Sequence, residues 1–189
     1  MALTHSTMLP LGTAAPGFSL PATDGKLYTL QSFAAGKLLL VMFICNHCPF
    51  VQHVRPQLLA LARDYQGKGV AIVAISSNDT EAYPADNMPN MKLEATAHGF
   101  SFPYLLDETQ EVAKAYDAAC TPDFFLFDRK RVLIYRGRLD GSRPGNGIPV
   151  TGAELRSALD AALAGTQVAV WQEPSIGCNI KWKSGNESV

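Results

Sequence analysis

The run Leu38–Cys45, LLLVMFIC, is apolar throughout and uncharged, and it stops at a second cysteine and a proline: Cys45-Asn46-His47-Cys48-Pro49. A short apolar run of this kind reads as a strand buried on both faces. Beyond it Val51, Val54, Leu58, Leu59, Ala62 and Tyr65 recur at helical spacing, so an amphipathic helix follows the cysteines. The order strand, Cys-x-x-Cys, helix has a chemical consequence. It sets the first sulfur at the positive end of a helix, where a thiolate is stabilised.

A structural zinc site usually needs four ligands, and the other two cysteines, Cys120 and Cys178, stand alone and far apart in the chain. A redox dithiol is the better reading than a zinc knuckle or two inert buried thiols. The formal charge of −1 and the scattered charges offer nucleic acid no basic patch. No apolar run approaches the roughly 18 residues of a membrane span, so no membrane partner is expected. The first residues show no positively charged segment followed by an apolar stretch, and a cytoplasmic location is the expectation. In that reducing setting cysteines serve reactivity or metal binding rather than as staples.

The length suits one domain over 1–189, with a core of about 11–165 and a tail of 166–189. Asp24-Gly25 between two short apolar runs in Ala15–Leu30 predicts a hairpin. Pro56 lies inside the helix pattern and predicts a kink. Val70–Ser76 is a second buried strand, making a right-handed parallel crossover with the first. Ser77–Gly99 reads as an irregular insertion ending in a helix over Met91–His98, with Met88 and Met91 taken as packing residues. Phe102–Leu106 reads as a strand. Asp107 and Gln110 predict a capping box for a helix to Asp117, and Thr151 and Glu154 another for a helix to Gly165. Between them Asp123–Phe127 and Arg131–Arg136 predict an antiparallel hairpin. The tail keeps Ile180 and Trp182 as alternating apolar residues, which predicts docking on the body of the domain.

The pieces CNHCPF, AYPADNMPNM, FPYLLDETQEVAKAY, CTPDFFLFD, YRGRLD and GCNIKW resemble the thioredoxin superfamily, in its redoxin branch of peroxiredoxin-like thioredoxin family proteins. The resemblance runs from about Leu11 to Lys183. It implies an α/β thioredoxin-like fold: a central mixed sheet flanked by helices, with an N-terminal β-hairpin and a C-terminal tail. It also implies thiol–disulfide exchange with no cofactor. The partners would be a protein or small-molecule disulfide and an electron-donating thiol system. Thr121-Pro122 matches the position of a cis proline that faces the dithiol and aligns an extended substrate.

Within that frame Cys45, the more exposed of such a pair, is expected to attack with a lowered pKa, and Cys48 to resolve. His47 is expected to favour the Cys45 thiolate. His53, one turn on, reads as a surface or partly buried helix residue. Cys120 and Cys178 are candidates for further redox thiols and are expected to approach each other closely, as a second redox pair or as a relay from Cys48. Three features depart from the family pattern. Leu39 stands where thioredoxins carry a buried acid. Aligned on Cys48, Val41 and Cys45 replace the proline and the hydroxyl residue of the peroxidase motif, which argues against a thiol peroxidase. Pro56 comes eight residues after Cys48, not five, moving the kink almost one turn along. A reading from another class is a metal-binding or redox-sensing protein that uses Cys45, His47 and Cys48.

Overall fold

The computed structural model describes residues 3–186. The last three residues of the expected tail, and the first two of the chain, lie outside them. Strand β1 (Leu3–His5) is followed by a hairpin of β2 (Ser19–Pro21) and β3 (Leu27–Thr29), with the expected turn at Asp24-Gly25. Then come β4 (Leu38–Phe43), α1 (Pro49–Gln66), β5 (Val70–Ser76), α2 (Met88–His98) and β6 (Tyr104–Leu106). The rest is α3 (Glu111–Ala115), β7 (Cys120–Thr121), β8 (Asp123–Phe127), β9 (Leu133–Gly137), α4 (Ala153–Leu163) and β10 (Ile176–Asn179).

The central sheet has five strands in the order β6-β5-β4-β8-β9. β4, β5 and β6 run parallel; β8 and β9 are antiparallel to their neighbours. All six residues of β4 are buried because both faces of the sheet are covered. Alternate residues feed two cores. Leu38, Leu40, Met42 and Ile44 pack with Val51, Leu58 and Leu61 of α1, Met91 of α2 and Leu155 and Leu159 of α4. Leu39, Val41 and Phe43 face the other way, toward Phe18 and Leu20 of the hairpin and Val112 and Ala113 of α3. Leu39 therefore sits on the face away from α1. No helix of the described residues is long and apolar enough to cross a membrane.

α1 continues through Pro56 to Gln66, as the pattern implied. Other local expectations change. α2 begins at Met88, earlier than its apolar pattern implied, because Asn87 caps it by accepting from the Asn90 amide at 3.0 Å. Neither predicted capping box forms. Asp107 accepts from the Ala113 amide at 2.9 Å and from the Ser77 hydroxyl at 2.8 Å, while Gln110 turns inward to the tail. At α4 the Asp140 carboxylate takes the Thr151 amide at 2.7 Å, and Glu154 pairs with Arg138 at 2.7 Å.

The tail is a structural strand. β10 lies between β1 and β7, antiparallel to both, and completes a second sheet of three strands. Its continuation is held by side chains far away in sequence. Gln110 donates to the Lys181 carbonyl at 2.8 Å and accepts from the Lys183 amide at 2.8 Å. Asn78 accepts from the Lys181 amide at 2.8 Å. Ile180 and Trp182 pack into the core on the side of α3, so the alternation in the tail is one of docking.

Candidate active site

Cys45 follows β4, and Cys48 is the N-cap of α1, with Pro49 as its first residue. Proline suits that place because its missing amide hydrogen would have no partner in the first turn. β7 and β8 bring Thr121 and Pro122 across from the sulfurs, joined by a cis peptide bond. The Thr121 hydroxyl lies 3.5 Å from Cys45 Sγ, and its carbonyl 3.2 Å from Cys48 Sγ, from which it accepts when that thiol is protonated. None of the four cysteines is in a disulfide.

Both sulfurs are enclosed: Cys45 is 2% exposed and Cys48 0%. Cys45 is the more exposed of the two by this margin, but its thiol is held above the ordinary range, not below it as expected. The two thiols titrate as a unit, with the lower value on the side of Cys48. The Cys45 thiol donates to the Cys48 sulfur, with further donors at Thr121 and Cys178, and these bring Cys48 down to about 5. Cys45 is raised, first by that hydrogen bond, then by burial and by the charge of Asp86. A cysteine at the N-cap stands nearer the helix amides than one three residues upstream, and this part of the arrangement is helical geometry.

His47 is anchored through its ring, which stays within 4.8 Å of the Cys45 sulfur. Its Nδ1 is 2.6 Å from Asp86 Oδ2, and its ring stacks on Tyr83 at 5.4 Å between centroids. Asp86 is 0% exposed and also accepts from the Asn46 amide at 2.8 Å and from Asn78 Nδ2 at 2.7 Å. Tyr104 donates to Asn46 Oδ1 at 3.0 Å. The loop between the cysteines is thus pinned by the 77–99 insertion. Asp86, Asn78, Tyr83 and Tyr104 escaped the sequence reading. Asp86 sits in a proline-rich segment without periodicity, and nothing local marks it as buried.

Cys178 is on β10 opposite Thr121, and Cys120 is opposite Asn179. Neighbouring positions on a strand face opposite sides, so Cys178 shares the face of Thr121 and Cys120 turns away. Cys178 is hydrogen-bonded to Cys48, and burial together with that bond pushes it up to about 12. Cys120 packs with its sulfur 3.8 Å from the Pro122 carbonyl oxygen, and burial pushes its thiol up. Cys120 and Cys178 are diagonal neighbours on paired strands, and of the two it is Cys178 that contacts Cys48. His53 is half-buried on α1, its Nε2 2.8 Å from the Ser142 hydroxyl.

Among the described residues a ligand cluster is formed by Cys45, His47 and Asp86, whose donor atoms lie within 4.8 Å of one another. Asp86 takes the place that the sequence reading gave to Cys48. The 2.6 Å between His47 and Asp86 is a hydrogen-bond distance, so a metal would have to part them.

Residues 10–154 match the Redoxin family model. A conserved protein of Geobacillus kaustophilus has a crystal structure with a TM-score of 0.95 and 58% identity, covering 97% of each chain. A hypothetical protein of Sinorhizobium meliloti 1021 is similar at a TM-score of 0.95 and 54% identity, over 96% of this chain and 100% of that one. The thiol-disulfide oxidoreductase ResA of Geobacillus thermodenitrificans is 27% identical over 126 residues, 67% of this chain and 68% of its own. The thioredoxin domain of a thiol-disulfide oxidoreductase from Bacteroides vulgatus shares the fold at a TM-score of 0.58 and 21% identity, over 71% of this chain and 90% of that one.

Proposed function

The chain belongs to the redoxin family of the thioredoxin superfamily and is a thiol–disulfide oxidoreductase; we propose that Cys45 attacks the substrate disulfide and Cys48 resolves it. The observation that carries this reading is the hydrogen-bonded pair of sulfurs at the strand-to-helix junction, sharing one proton against Thr121. Cys45 opens onto Asn46 and His47, which are half-buried, whereas Cys48 is wholly enclosed. In the resting state the Cys48 thiolate is the hydrogen-bonded base nearest the Cys45 proton. Cys45 passes its proton to Cys48 and bonds to one substrate sulfur, and the other leaves as a thiolate. That thiolate takes the proton back. Cys48 then attacks Cys45, and the second substrate sulfur departs. The enzyme has gained a disulfide and the substrate two electrons.

His47, held by Asp86, orients the mouth of the site, and Thr121 with Pro122 lines the opposite wall. The substrate is a protein or small-molecule disulfide, and a thiol system returns the electrons. A Cys48→Ser variant should accumulate mixed disulfides through Cys45, released by reductant and mapped by mass spectrometry. If only Cys45→Ser traps partners, the two roles are reversed.

The cluster of Cys45, His47 and Asp86 favours one second reading, a metal-binding redox sensor. Stoichiometric copper or zinc in protein purified under reducing conditions, lost in Asp86→Asn, would support it; metal-free protein with full exchange activity would sink it.

A further inference from the structure

Thr121 is touched by three sulfurs or their backbones. Its hydroxyl is 3.5 Å from Cys45 Sγ, its carbonyl 3.2 Å from Cys48 Sγ, and its Cα is paired in register with Cys178. Cys178 is 4% exposed and belongs to the same buried cluster as Cys45 and Cys48. The close approach of β10 depends on Gly177, where a Cβ would overlap the Thr121 carbonyl. Strand β10 is fixed on both edges, by β1 and β7. Cys178 therefore sits beside Cys48 as part of the fold. Its sulfur is not one of the two that change partners in the two-cysteine exchange.

We propose that Cys178 is a third exchanging thiol, so that the site holds its oxidised state as either of two disulfides, Cys45–Cys48 or Cys48–Cys178. The proposal rests on the dithiol reading above. The Cys178 sulfur attacks Cys48, a Cys48–Cys178 bond forms and the Cys45–Cys48 bond breaks. Cys45 leaves as a thiolate and takes up the proton that Cys178 gave. One disulfide and one thiol stand on each side, and no external oxidant is consumed. The product has Cys45 reduced again at the mouth of the site, while the disulfide ties the tail strand to the start of α1. Cys120, on the other face of β7, takes no part.

Tryptic peptides separate the possibilities. Cys45 and Cys48 lie on one, residues 38–63; Cys178 lies on 157–181 and Cys120 on 115–129. Cys45→Ser protein oxidised with diamide should show 38–63 joined to 157–181, and Cys45→Ser/Cys178→Ser should not. No link, or a link of 38–63 to 115–129, overturns the proposal. Should Cys45→Ser fail to fold, the wild-type chain equilibrated in a glutathione redox buffer decides. A share of molecules linked between 38–63 and 157–181 supports the third thiol, and only the internal Cys45–Cys48 disulfide overturns it. Wild-type protein that forms neither disulfide overturns the dithiol reading itself, which keeps the two failures apart.

Discussion

His47 and Asp86 are joined through Nδ1 and Oδ2 at 2.6 Å, with the carboxylate fully buried and the imidazole stacked on Tyr83. This bond turns the histidine between the cysteines toward a carboxylate from the insertion. The negative charge near Cys45 then opposes a second thiolate.

Replacing Asp86 by Asn should therefore lower the second thiol pKa, that of Cys45, by about one unit or more, the scale of one charge at this range in a partly buried site. Ultraviolet thiolate absorbance against pH measures it. An unchanged or raised Cys45 value in a folded Asp86→Asn variant would contradict the electrostatic role.

The first thiolate should form with a midpoint of about 5 and vanish in Cys48→Ser. Cys48 is lowered on folding, so its contribution to stability is complete above the ordinary thiol range and is lost as pH falls through about 5. Reduced wild-type protein should gain stability relative to Cys48→Ala as pH rises from 5 toward 8. A parallel pair of denaturation curves across that range would refute the assignment.

Asp123 is buried at the head of β8, and its Oδ2 has no hydrogen-bond partner among the described residues. Burial pushes its pKa up to about 7. A carboxyl raised in this way stabilises the fold below its unfolded value, and that stability drains away as pH rises toward 7. The loss amounts to about 4 kcal/mol for a shift of this size. Asp123→Asn should flatten the decline between pH 4 and 7, checked by urea unfolding at several pH values.

Gln110 bridges α3 and the tail through the Lys181 carbonyl and the Lys183 amide. Gln110→Ala removes the Lys183 amide's acceptor and leaves the Lys181 carbonyl to the Asp79 amide alone, and should cost about 1–3 kcal/mol. Hydrogen exchange should quicken in 176–183 before it does in β4. Uniform acceleration across the central sheet would show that the tail is not a separate unit.

Hydrogen peroxide should oxidise the dithiol slowly, about a hundredfold below a peroxidase that has a full set of donors at its sulfur. Thr121 supplies a hydroxyl near Cys45 from β7, in place of the one missing from the motif, but at 3.5 Å it is a weak donor. Stopped-flow oxidation by peroxide against a protein disulfide ranks the two substrates.

Much of this protein is set locally. The uninterrupted apolar run of β4 demands cover on both faces, the helical spacing after Cys48 demands a helix, and Asp24-Gly25 demands a tight turn. These depend on side-chain period and backbone propensity, which a chain carries in any window of a dozen residues, so sheet, crossover and Cys-x-x-Cys junction were all legible. What only the tertiary structure decided is where lone polar groups end up. Asp86 stands in a segment with no distinguishing pattern, and Gln110 in one that reads as a helix cap; both are buried because distant amides and carbonyls need partners there. The lower thiol value falls on the side of Cys48 partly for the same reason. The first donor to its sulfur is the neighbouring Cys45 thiol, but the others come from β7 and β10, some 70 and 130 residues further along the chain. Cys178 meets Cys48 rather than Cys120 through the register of one strand pair, and a register is a relation between two segments that neither segment contains.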